Sequence, residues 1–493
     1  MRHVLLTAGL LLGPVVAGAQ QTAPAALSLA DAIAIARDQN PAYRQALNNR
    51  GPAAWGVRNA FSSLFIPSVT TAAGMTYTGP GSQTFLSSSF TQSVSTVSSY
   101  YDLSLAWQLS GTTLSQPGLA KAQQHAVDED IAGAANALVT GITQQYLTVL
   151  QTRDQAEVAR RTVTRNEEFL KLAQARFGVG QATLIDVRQA QVARGQAEVA
   201  LLRAETAVKI EKLRLFEQMG VTPPIDIAMV QLTDTFAVQT PAWQLPDLLT
   251  MAEQQNPALK ALRARERAAA WGVRAATSTY GPAVSLSAGW SGFTQQFTDV
   301  EPIIRSQQTA LTGQRTACVE NNQIRASAGL PPDPPDCDIY LWGPAYEQPL
   351  RDRNSVFPFS FTKQPFQARL SISLPIFTNF SRTQRVSEAR AQHGDMEEAV
   401  RARGLAVQTE VSQAFLTLQT AFRTTGLQDT NRTAAREQLQ LATERYRVGS
   451  GTFFELLDAQ VASLRAESDY VNAIYDYHKA LSALEAAVGR SLR

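Results

Sequence analysis

The sequence predicts a membrane β-barrel joined to an α-helical barrel, with several copies of the chain needed to complete it. Three observations predict this fold class. The chain is written as a duplicated unit, each unit contains two very long helical segments, and four segments alternate apolar and polar residues over a membrane-spanning length. Each unit is predicted as helix, strand, strand, long helix and return helix, so one chain supplies four strands and two helical hairpins.

The first 19 residues have the pattern of a secretory signal peptide. Arg2 and His3 precede an apolar run over 4–16, and Ala17-Gly18-Ala19 fits the small-residue cleavage pattern before Gln20. The apolar run is too short for a stable anchor, and no later stretch of about 18 uninterrupted apolar residues occurs. We therefore expect an exported chain that enters a membrane, if it does, without transmembrane helices.

Composition argues against several classes of function. The formal charge is +2, so nothing indicates a nucleic-acid partner. The sequence contains no acid–base or nucleophile constellation, so we expect neither an enzyme nor a cofactor. The four histidines are scattered along the chain, which predicts no metal site: His3, His125, His393 and His478.

Short motifs occur twice at a common offset. Gln39-Asn40-Pro41-Ala42 recurs as Gln255-Asn256-Pro257-Ala258, and the letters AAWGVR of 53–58 recur at 269–274. The letters RFGVG of 176–180 are matched by RYRVG of 445–449 at a larger offset, so the second half contains an insertion. We predict a first repeat over 20–220, a linker over 221–243 and a second repeat over 244–493.

Helix signals recur in the same order in both repeats. A helix over 29–39 ends at Asn40-Pro41, because proline disfavours helix in the residue before it, and a second helix runs from 42 to about 63. Long helices are predicted over 113–177 and 382–446, with return helices over 183–219 and 452–488. The first long helix would measure about 95 Å, so it must pack as a coiled coil. The hairpin tips fall at 177–186 and 446–458.

Strands are predicted at about 67–78, 99–109, 282–291 and 366–375. Each is long enough to cross a bilayer obliquely, and aromatic residues lie near the ends. An ordinary half-buried soluble sheet alternates in the same way. Four strands cannot close a barrel, however, and open edges in lipid leave backbone groups unpaired. A membrane location therefore requires several chains to pool their strands.

The loops between paired strands are unequal. Residues 79–98 are Ser/Thr-rich and are expected to form a surface loop, while the structureless loop predicted over 292–365 is far longer and Pro-rich. Surface decoration, partial occlusion of a pore mouth and receptor-like binding all remain open for the long loop. Cys318 and Cys337 both lie in it, and in an exported chain they favour a disulfide over a metal pair.

The duplicated motifs resemble those of the TolC family of outer-membrane efflux proteins, also called outer membrane factors. The resemblance implies a homotrimer, with a twelve-stranded barrel in the outer membrane of a Gram-negative-type bacterium and a coiled-coil periplasmic tunnel closed at its tip. It also implies contact with outer-membrane lipid, a periplasmic adaptor and an inner-membrane pump. The segments that carry it are Asn40-Pro41, Asn256-Pro257, 177–180 leading to Asp186-Val187, and 446–449 leading to 455–459.

By resemblance, the positions of the family's gate are Asp186, Tyr446, Glu455 and Asp458. Thr183 and Thr452 stand three residues before two of these acids, so capping boxes alone would explain Asp186 and Glu455. Capping does not reach Asp458, and three copies of it around a threefold axis would form a ring that holds cations. Tyr446 is either a packing aromatic or a hydroxyl that bonds across helices.

An arginine that can follow the tip glycine in this family is replaced by Gly451. Arg188, Arg445 or Arg447 would have to substitute for it, and we expect a tip that opens more easily. Small residues at the tips would let an adaptor hairpin approach closely, although glycine is also what a tight turn requires. The predicted docking residues are Val179, Gly180, Val448, Gly449 and Ser450.

The expected function is an outer-membrane channel subunit of a tripartite efflux system. It would act as a passive duct for small molecules such as drugs, metabolites or ions. A duct for type I protein secretion is the nearest alternative, since only the partner differs. A structural or adhesive surface protein with a coiled-coil stalk is an alternative of another class, but it does not require membrane-length strand pairs or a doubled tip motif.

Overall fold

A computed structural model describes residues 26–85, 88–92 and 95–492 of the chain; the predicted signal peptide (1–19) lies outside them. The helices are α1 Leu29–Gln39, α2 Pro41–Asn48, α3 Arg50–Phe65, α4 Gly111–Gly178, α5 Leu184–Met219, α6 Leu245–Gln255, α7 Pro257–Ser278, α8 Glu301–Ser327, α9 Pro344–Arg353, α10 Ser381–Arg447 and α11 Phe453–Val488. The strands are β1 Ala26–Leu27, β2 Ser68–Thr78, β3 Gly81–Phe85, β4 Ser88–Gln92, β5 Thr96–Leu109, β6 Gln231–Leu232, β7 Ala283–Phe297, β8 Thr362–Lys363 and β9 Gln367–Ser373.

The chain divides into two compact units. A helical unit contains the described residues up to Gly56, Ala120–Ala270, and those from Ala391 onward. A sheet unit contains Val57–Leu119 and Trp271–Arg390. Helices α3, α4, α7 and α10 have residues in both units.

The long helices begin and end within two residues of their predicted positions. The helix predicted over 42–63 is instead two helices, α2 and α3, separated at Asn49. Pro52 explains the break, since it has no N–H for the carbonyl of Asn48 and its ring crowds that carbonyl. Throughout the described ranges, we find no helix that combines the length and the apolar character needed to cross a bilayer.

Each Asn-Pro motif forms a corner that is bonded to the end of its return helix. The side-chain oxygen of Asn40 accepts a hydrogen bond from the Tyr43 amide at 2.9 Å, and its Nδ2 donates to the Gln218 carbonyl at 2.7 Å. Asn256 makes the same pair of bonds in the second repeat, including one of 3.0 Å to the Ala487 carbonyl. The doubled motif is therefore a capped helix start that also joins two helices.

A glycine completes each corner. Gly220 and Gly489 have φ values of 79° and 86°. A Cβ atom at Gly220 would lie 2.6 Å from the carbonyl oxygen of Gln39, and one at Gly489 would lie 2.8 Å from that of Gln255. Only glycine fits both the backbone conformation and this close approach.

The sheet unit contains an antiparallel sheet in the order β2, β5, β7, with β8 and β9 both paired to β7. Val69 lies opposite Leu105 and Leu103 lies opposite Trp290, so the predicted apolar faces of neighbouring strands coincide. Large apolar side chains on this face are exposed in the single chain: Val69, Met75, Tyr77, Leu103, Trp290, Leu370 and Ile372.

The opposite face of the sheet is polar. The hydroxyl groups of Thr70 and Ser104 are 2.8 Å apart across β2 and β5, and those of Ser285 and Ser371 are 3.2 Å apart across β7 and β9. Within the described residues, β2 and β9 each pair with a single strand. The sheet therefore has one apolar face, one polar face and two open edges.

Both predicted loops contain regular structure, which corrects the expectation that 292–365 is structureless. Residues 79–98 include the hairpin β3–β4, and most of 292–365 is occupied by the end of β7 and by α8 and α9. The prolines are concentrated at 331–335, while 301–327 is rich in Gln, Ala and Arg, which favour helix. Pro302 stands in the first turn of α8, where a missing N–H costs nothing.

The long segment folds back onto the strands that flank it. Asn354 exchanges two hydrogen bonds with the backbone of Phe297, of 2.7 and 2.8 Å. The Ser99 hydroxyl donates to the Pro358 carbonyl at 2.6 Å. A disulfide joins Cys318 of α8 to Cys337, with their Cα atoms 5.8 Å apart.

Candidate gate at the hairpin tips

One hydrophobic cluster lies beside both hairpin turns. The turn between α4 and α5 is called the first tip (177–186), and the turn between α10 and α11 is called the second tip (446–458). Both hairpins contribute buried side chains to the cluster, so the ends of the two repeats form one packed structure within a single chain. The cluster members are Phe169, Ala173 and Ala190 from the first hairpin, and Leu439, Tyr446, Phe453, Leu456 and Ala459 from the second.

The two tips have the same backbone turn. Gly180 and Gly449 have φ values of 81° and 85°. Their amides donate to the carbonyls of Phe177 and Tyr446, at 3.0 and 3.2 Å respectively. Both positions need the left-handed conformation that glycine adopts without strain, so the turn by itself accounts for these glycines.

The predicted capping boxes differ between the tips. At the first tip, Asp186 donates its amide to the Thr183 hydroxyl at 3.2 Å and accepts the Thr183 amide at 2.8 Å, which completes the box. At the second tip, Thr452 accepts the Glu455 amide at 3.2 Å, but the Glu455 carboxylate lies 3.6 Å from Arg445 Nη2. The second box is therefore half formed, because the carboxylate pairs with a cation instead.

Arg176 connects the two tips. Its Nη1 donates to the carbonyl oxygen of Tyr446 in the other hairpin, and its Nη2 donates to the Gln181 carbonyl at 2.9 Å. The guanidinium carbon lies 4.5 Å from the centroid of the Tyr446 ring, within cation–π range. Arg176 was not predicted as a site residue, although the repeat aligns it with Arg445 and so marks a cation at both tips.

The three arginines considered as substitutes for a side chain at Gly451 all bond locally. Arg445 donates to the Ser450 carbonyl at 3.3 Å, Arg188 donates to Gln191 Oε1 at 2.9 Å, and Arg447 lies 3.9 Å from Glu444. Within the described residues, none of the three forms a hydrogen bond or ion pair from one tip to the other. The link between the tips is made by Arg176 instead.

Gly451 itself has little room for a side chain. A Cβ atom there would lie 3.1 Å from the Cβ atom of Arg445 and 3.2 Å from the Tyr446 nitrogen. These contacts are tighter than ordinary van der Waals contacts, so any larger residue requires the second tip to adjust.

Tyr446 is a packing residue in the single chain. Only 3% of it is exposed, and its ring lies edge-on to Phe453 with the centroids 5.6 Å apart. Its hydroxyl has no hydrogen-bond partner among the described residues, so the predicted bond across helices is absent here. Burial raises the pKa of Tyr446 above its ordinary value; the negative charge of Asp186 adds to this, and Arg176 opposes it.

The three acids at the tips have different surroundings. Asp186 is half-buried, whereas Glu455 and Asp458 are exposed. Asp458 makes no hydrogen bond or ion pair within the part of the chain that the structure describes, so its carboxylate is available to a cation. The repeat aligns Asp458 with Gln189, so only the second tip has an acid at this position.

The predicted docking residues lie at the exposed ends of the hairpins. Val179 is 71% exposed and Val448 is 75% exposed, and Gly180, Gly449 and Ser450 are exposed beside them. Further exposed apolar side chains follow each turn and were not predicted from the sequence, because helical periodicity alone does not show which face is covered. They are Leu184, Ile185 and Phe454.

One of the four histidines lies beside two carboxylates, although the histidines are scattered along the sequence. His393 of α10 lies beside Glu266 of α7 and Glu397 of α10, and one ligand atom from each lies within 4.8 Å of the others. Glu266 and His393 are far apart in sequence, and no short motif indicated that they meet.

Comparison with known proteins gives one family. The family model described as outer membrane efflux protein matches residues 32–221 and 350–490. These ranges include both tips and both long hairpins.

Three solved structures with the same fold are each under 25% identical to this chain. The outer-membrane channel OprN has a TM-score of 0.70 at 18% identity, covering 94% of this chain and 89% of its own. The outer membrane protein VceC of Vibrio cholerae has a TM-score of 0.67 at 17% identity, covering 94% and 97%. The open state of the MtrE outer membrane channel of Neisseria gonorrhoeae has a TM-score of 0.66 at 18% identity, covering 94% and 89%. These structures share the fold of the chain, and the family match over 32–221 and 350–490 shows that the chain belongs to the outer membrane efflux protein family.

Proposed function

We propose that three copies of this chain form an outer-membrane duct, which receives small molecules from a periplasmic adaptor and an inner-membrane pump. The sheet is the observation that carries this proposal. Its large apolar side chains have no cover in the single chain, and its edge strands β2 and β9 have unpaired backbone groups. Closure of three such sheets into a barrel of twelve strands removes both problems.

In this assembly β9 of one copy pairs with β2 of the next. The apolar face, with Val69 and Trp290, then meets lipid, while the polar face, with Thr70 and Ser285, lines a water-filled lumen. The long helical hairpins form the tunnel, and the duct is passive. A location in the outer membrane, with a periplasmic extension, follows from the same arrangement.

Disulfide crosslinking between edge strands tests the assembly. Cysteines replacing Ala72 in β2 and Ser371 in β9, and then their neighbours at two-residue steps, are placed in a background with Cys318→Ser and Cys337→Ser. At the matching register we expect dimers and trimers that disappear on reduction. A Thr70→Cys, Ser104→Cys pair is the control, because these residues oppose each other within one chain and their hydroxyl groups are 2.8 Å apart. If no β2–β9 combination joins two chains, the proposed barrel is wrong.

The partner is tested separately at the tips. A photocrosslinking residue replaces Val179 or Val448 in living cells, and Leu202, which is also exposed but lies in the middle of α5, is the control position. We expect the tip positions, and not Leu202, to capture the adaptor of a small-molecule pump.

Other captured partners would change the function. The adaptor of a type I secretion system would replace efflux by protein export through the same duct. If the tips capture no adaptor while the β2–β9 crosslinks form, the duct survives but the tripartite assembly does not. If both experiments fail, a structural surface protein with a coiled-coil stalk becomes the better interpretation.

A further inference from the structure

A histidine and two glutamates meet where α7 contacts α10 in the helical unit. His393 Nε2 lies 2.8 Å from Glu266 Oε1, and His393 Nδ1 lies 3.8 Å from Glu397 Oε1. His393 and Glu397 are four residues apart on α10, so both side chains lie on one face of the helix. Glu266 approaches from α7 and is half-buried, whereas Glu397 is exposed, and one ligand atom from each of the three lies within 4.8 Å of the others.

The first repeat has a different arrangement at the aligned positions. Continuing the repeat alignment pairs Arg50 with Glu266 and Asp128 with Glu397. In the first repeat these residues form an ion pair, with Arg50 Nε 3.4 Å from Asp128 Oδ1. The third aligned pair is Gln124 and His393. In the first repeat, the guanidinium of Arg50 therefore neutralises the carboxylate of Asp128 at this position.

In the second repeat that cation is absent. Glu266 stands where the first repeat has an arginine, so two carboxylates lie beside one imidazole. Across the described ranges, neither glutamate forms an ion pair with arginine or lysine. The nearby Arg265 is paired with Asp130 at 2.5 Å instead. Two carboxylates held together without a fixed positive charge attract a cation from solution.

We propose that Glu266, His393 and Glu397 bind one divalent metal ion of the first transition series, with zinc as the type case. This ion joins α7 to α10. One imidazole and two carboxylates are three protein ligands of the types that zinc takes, and the imidazole favours zinc, nickel or copper over calcium or magnesium. The ion takes the place of the hydrogen bond between His393 and Glu266. Solvent fills the remaining coordination positions beside the exposed Glu397. Binding uses an unprotonated ring nitrogen, so it competes with protons.

Zinc titration of the purified full chain tests this site. After removal of metal with a chelator, isothermal titration calorimetry at neutral pH should give a site with one zinc per chain. His393→Gln, which introduces the residue of the first repeat, should weaken that site at least about tenfold, as should Glu266→Gln. His125→Gln is the matched control: His125 lies 3.9 Å from Glu129 at the same spacing, and no third ligand joins them among the described residues.

Glu266→Arg separates loss of the site from loss of the fold. It re-creates the charge pair of the first repeat opposite Glu397, so the variant should keep the circular dichroism and assembly state of the wild type while binding no zinc at this site. Failure of the wild-type chain to bind zinc at millimolar concentration would overturn the proposal. Unchanged titration of both His393→Gln and Glu266→Arg, or loss of the site in His125→Gln, would also overturn it.

Discussion

The two hairpin tips share a backbone turn but differ in what their cations and aromatic residues contact. Arg176 of the first tip donates to the Tyr446 carbonyl in the second hairpin, whereas the aligned Arg445 donates to Ser450 of its own turn. The turns are alike because local hydrogen bonds and a glycine determine them. The link between hairpins exists once, since it depends on what lies within reach of each arginine.

The aligned aromatic residues differ in the same way. Phe177 of the first tip is 46% exposed, while Tyr446 of the second is 3% exposed and packs against Phe453. The second tip thus contributes its aromatic residue to the shared cluster. The first tip instead contributes an arginine, Arg176, which contacts that aromatic residue. Under the proposed function, opening of the duct would have to separate these contacts, so the difference between the tips can be tested by paired substitutions.

The largest expected effect comes from removing the buried ring. Tyr446→Ala should destabilise the tips by roughly 3–5 kcal/mol, because it leaves a cavity in the shared cluster. The matched Phe177→Ala should cost less than about 1 kcal/mol, since that ring is half exposed. Hydrogen–deuterium exchange of the peptides over 440–460 and 170–190 reports this locally. Equal loss of protection in both variants would contradict the difference between the tips.

A somewhat smaller effect is expected from the link itself. Arg176→Ala removes a charged donor from the Tyr446 carbonyl, and such a bond contributes about 1.5–3 kcal/mol. We expect the open probability in single-channel recording to rise at least about tenfold. Arg445→Ala is the control, because its bonds stay within the second tip, and it should change the open probability much less. If the two variants behave alike, Arg176 is not the link that holds the tips.

Asp458, which has no acidic counterpart at the first tip, should affect the ion selectivity of the duct. Asp458→Gln makes the two tips alike at this position, and we expect severalfold loss of cation selectivity and of block by divalent cations, because a ring of carboxylates is removed. Asp186→Asn is the comparison, since Asp186 is occupied by its capping box. Unchanged selectivity and divalent block in Asp458→Gln would remove Asp458 from the proposed gate.

The smallest expected effect depends on pH. The pKa of Tyr446 is raised in the folded tip, so the folded state retains this proton to higher pH than the unfolded chain. Its contribution to stability is therefore fully present below the ordinary tyrosine pKa of about 10 and is lost as pH rises through the folded value. Limited proteolysis at the tips should accelerate above pH of about 10 in the wild type and less in Tyr446→Phe.

Tyr446→Phe is otherwise expected to be nearly neutral at pH 7, because the hydroxyl has no partner in the described chain. Global unfolding is not a suitable measurement of the pH effect. Burial also raises the pKa values of Tyr146 and Tyr475 in the helical unit, and these residues would contribute to a global alkaline transition.

Much of the fold was predictable because its signals are local. The Asn-Pro corners and tip glycines mark where helices end, and alternation identifies the faces of the strands. The aligned register of Val69 with Leu105, and of Leu103 with Trp290, confirms the predicted apolar face. The segment over 292–365 was wrongly expected to lack structure, because a short proline cluster was given more weight than the helix-forming residues of α8 before it.

The candidate sites were predictable only in part. Asp186 and Thr183 form their capping box through residues three apart, and such a spacing is visible in any sequence. Arg176 and Tyr446, or Glu266 and His393, come together only when separate helices pack. Neither pair has a spacing that identifies it, although the aligned repeats show where the two copies differ.

The sequence by itself determined the duplicated unit, the two long hairpins, the amphipathic strands and the turns at the tips, because periodicity, proline and glycine act over a few residues. Tertiary structure alone decided which side chains of the two repeats meet. Those contacts depend on helix packing between residues far apart in the chain. For that reason Arg176 spans the tips while Arg445 does not, and Glu266, His393 and Glu397 meet where the first repeat has an ordinary ion pair.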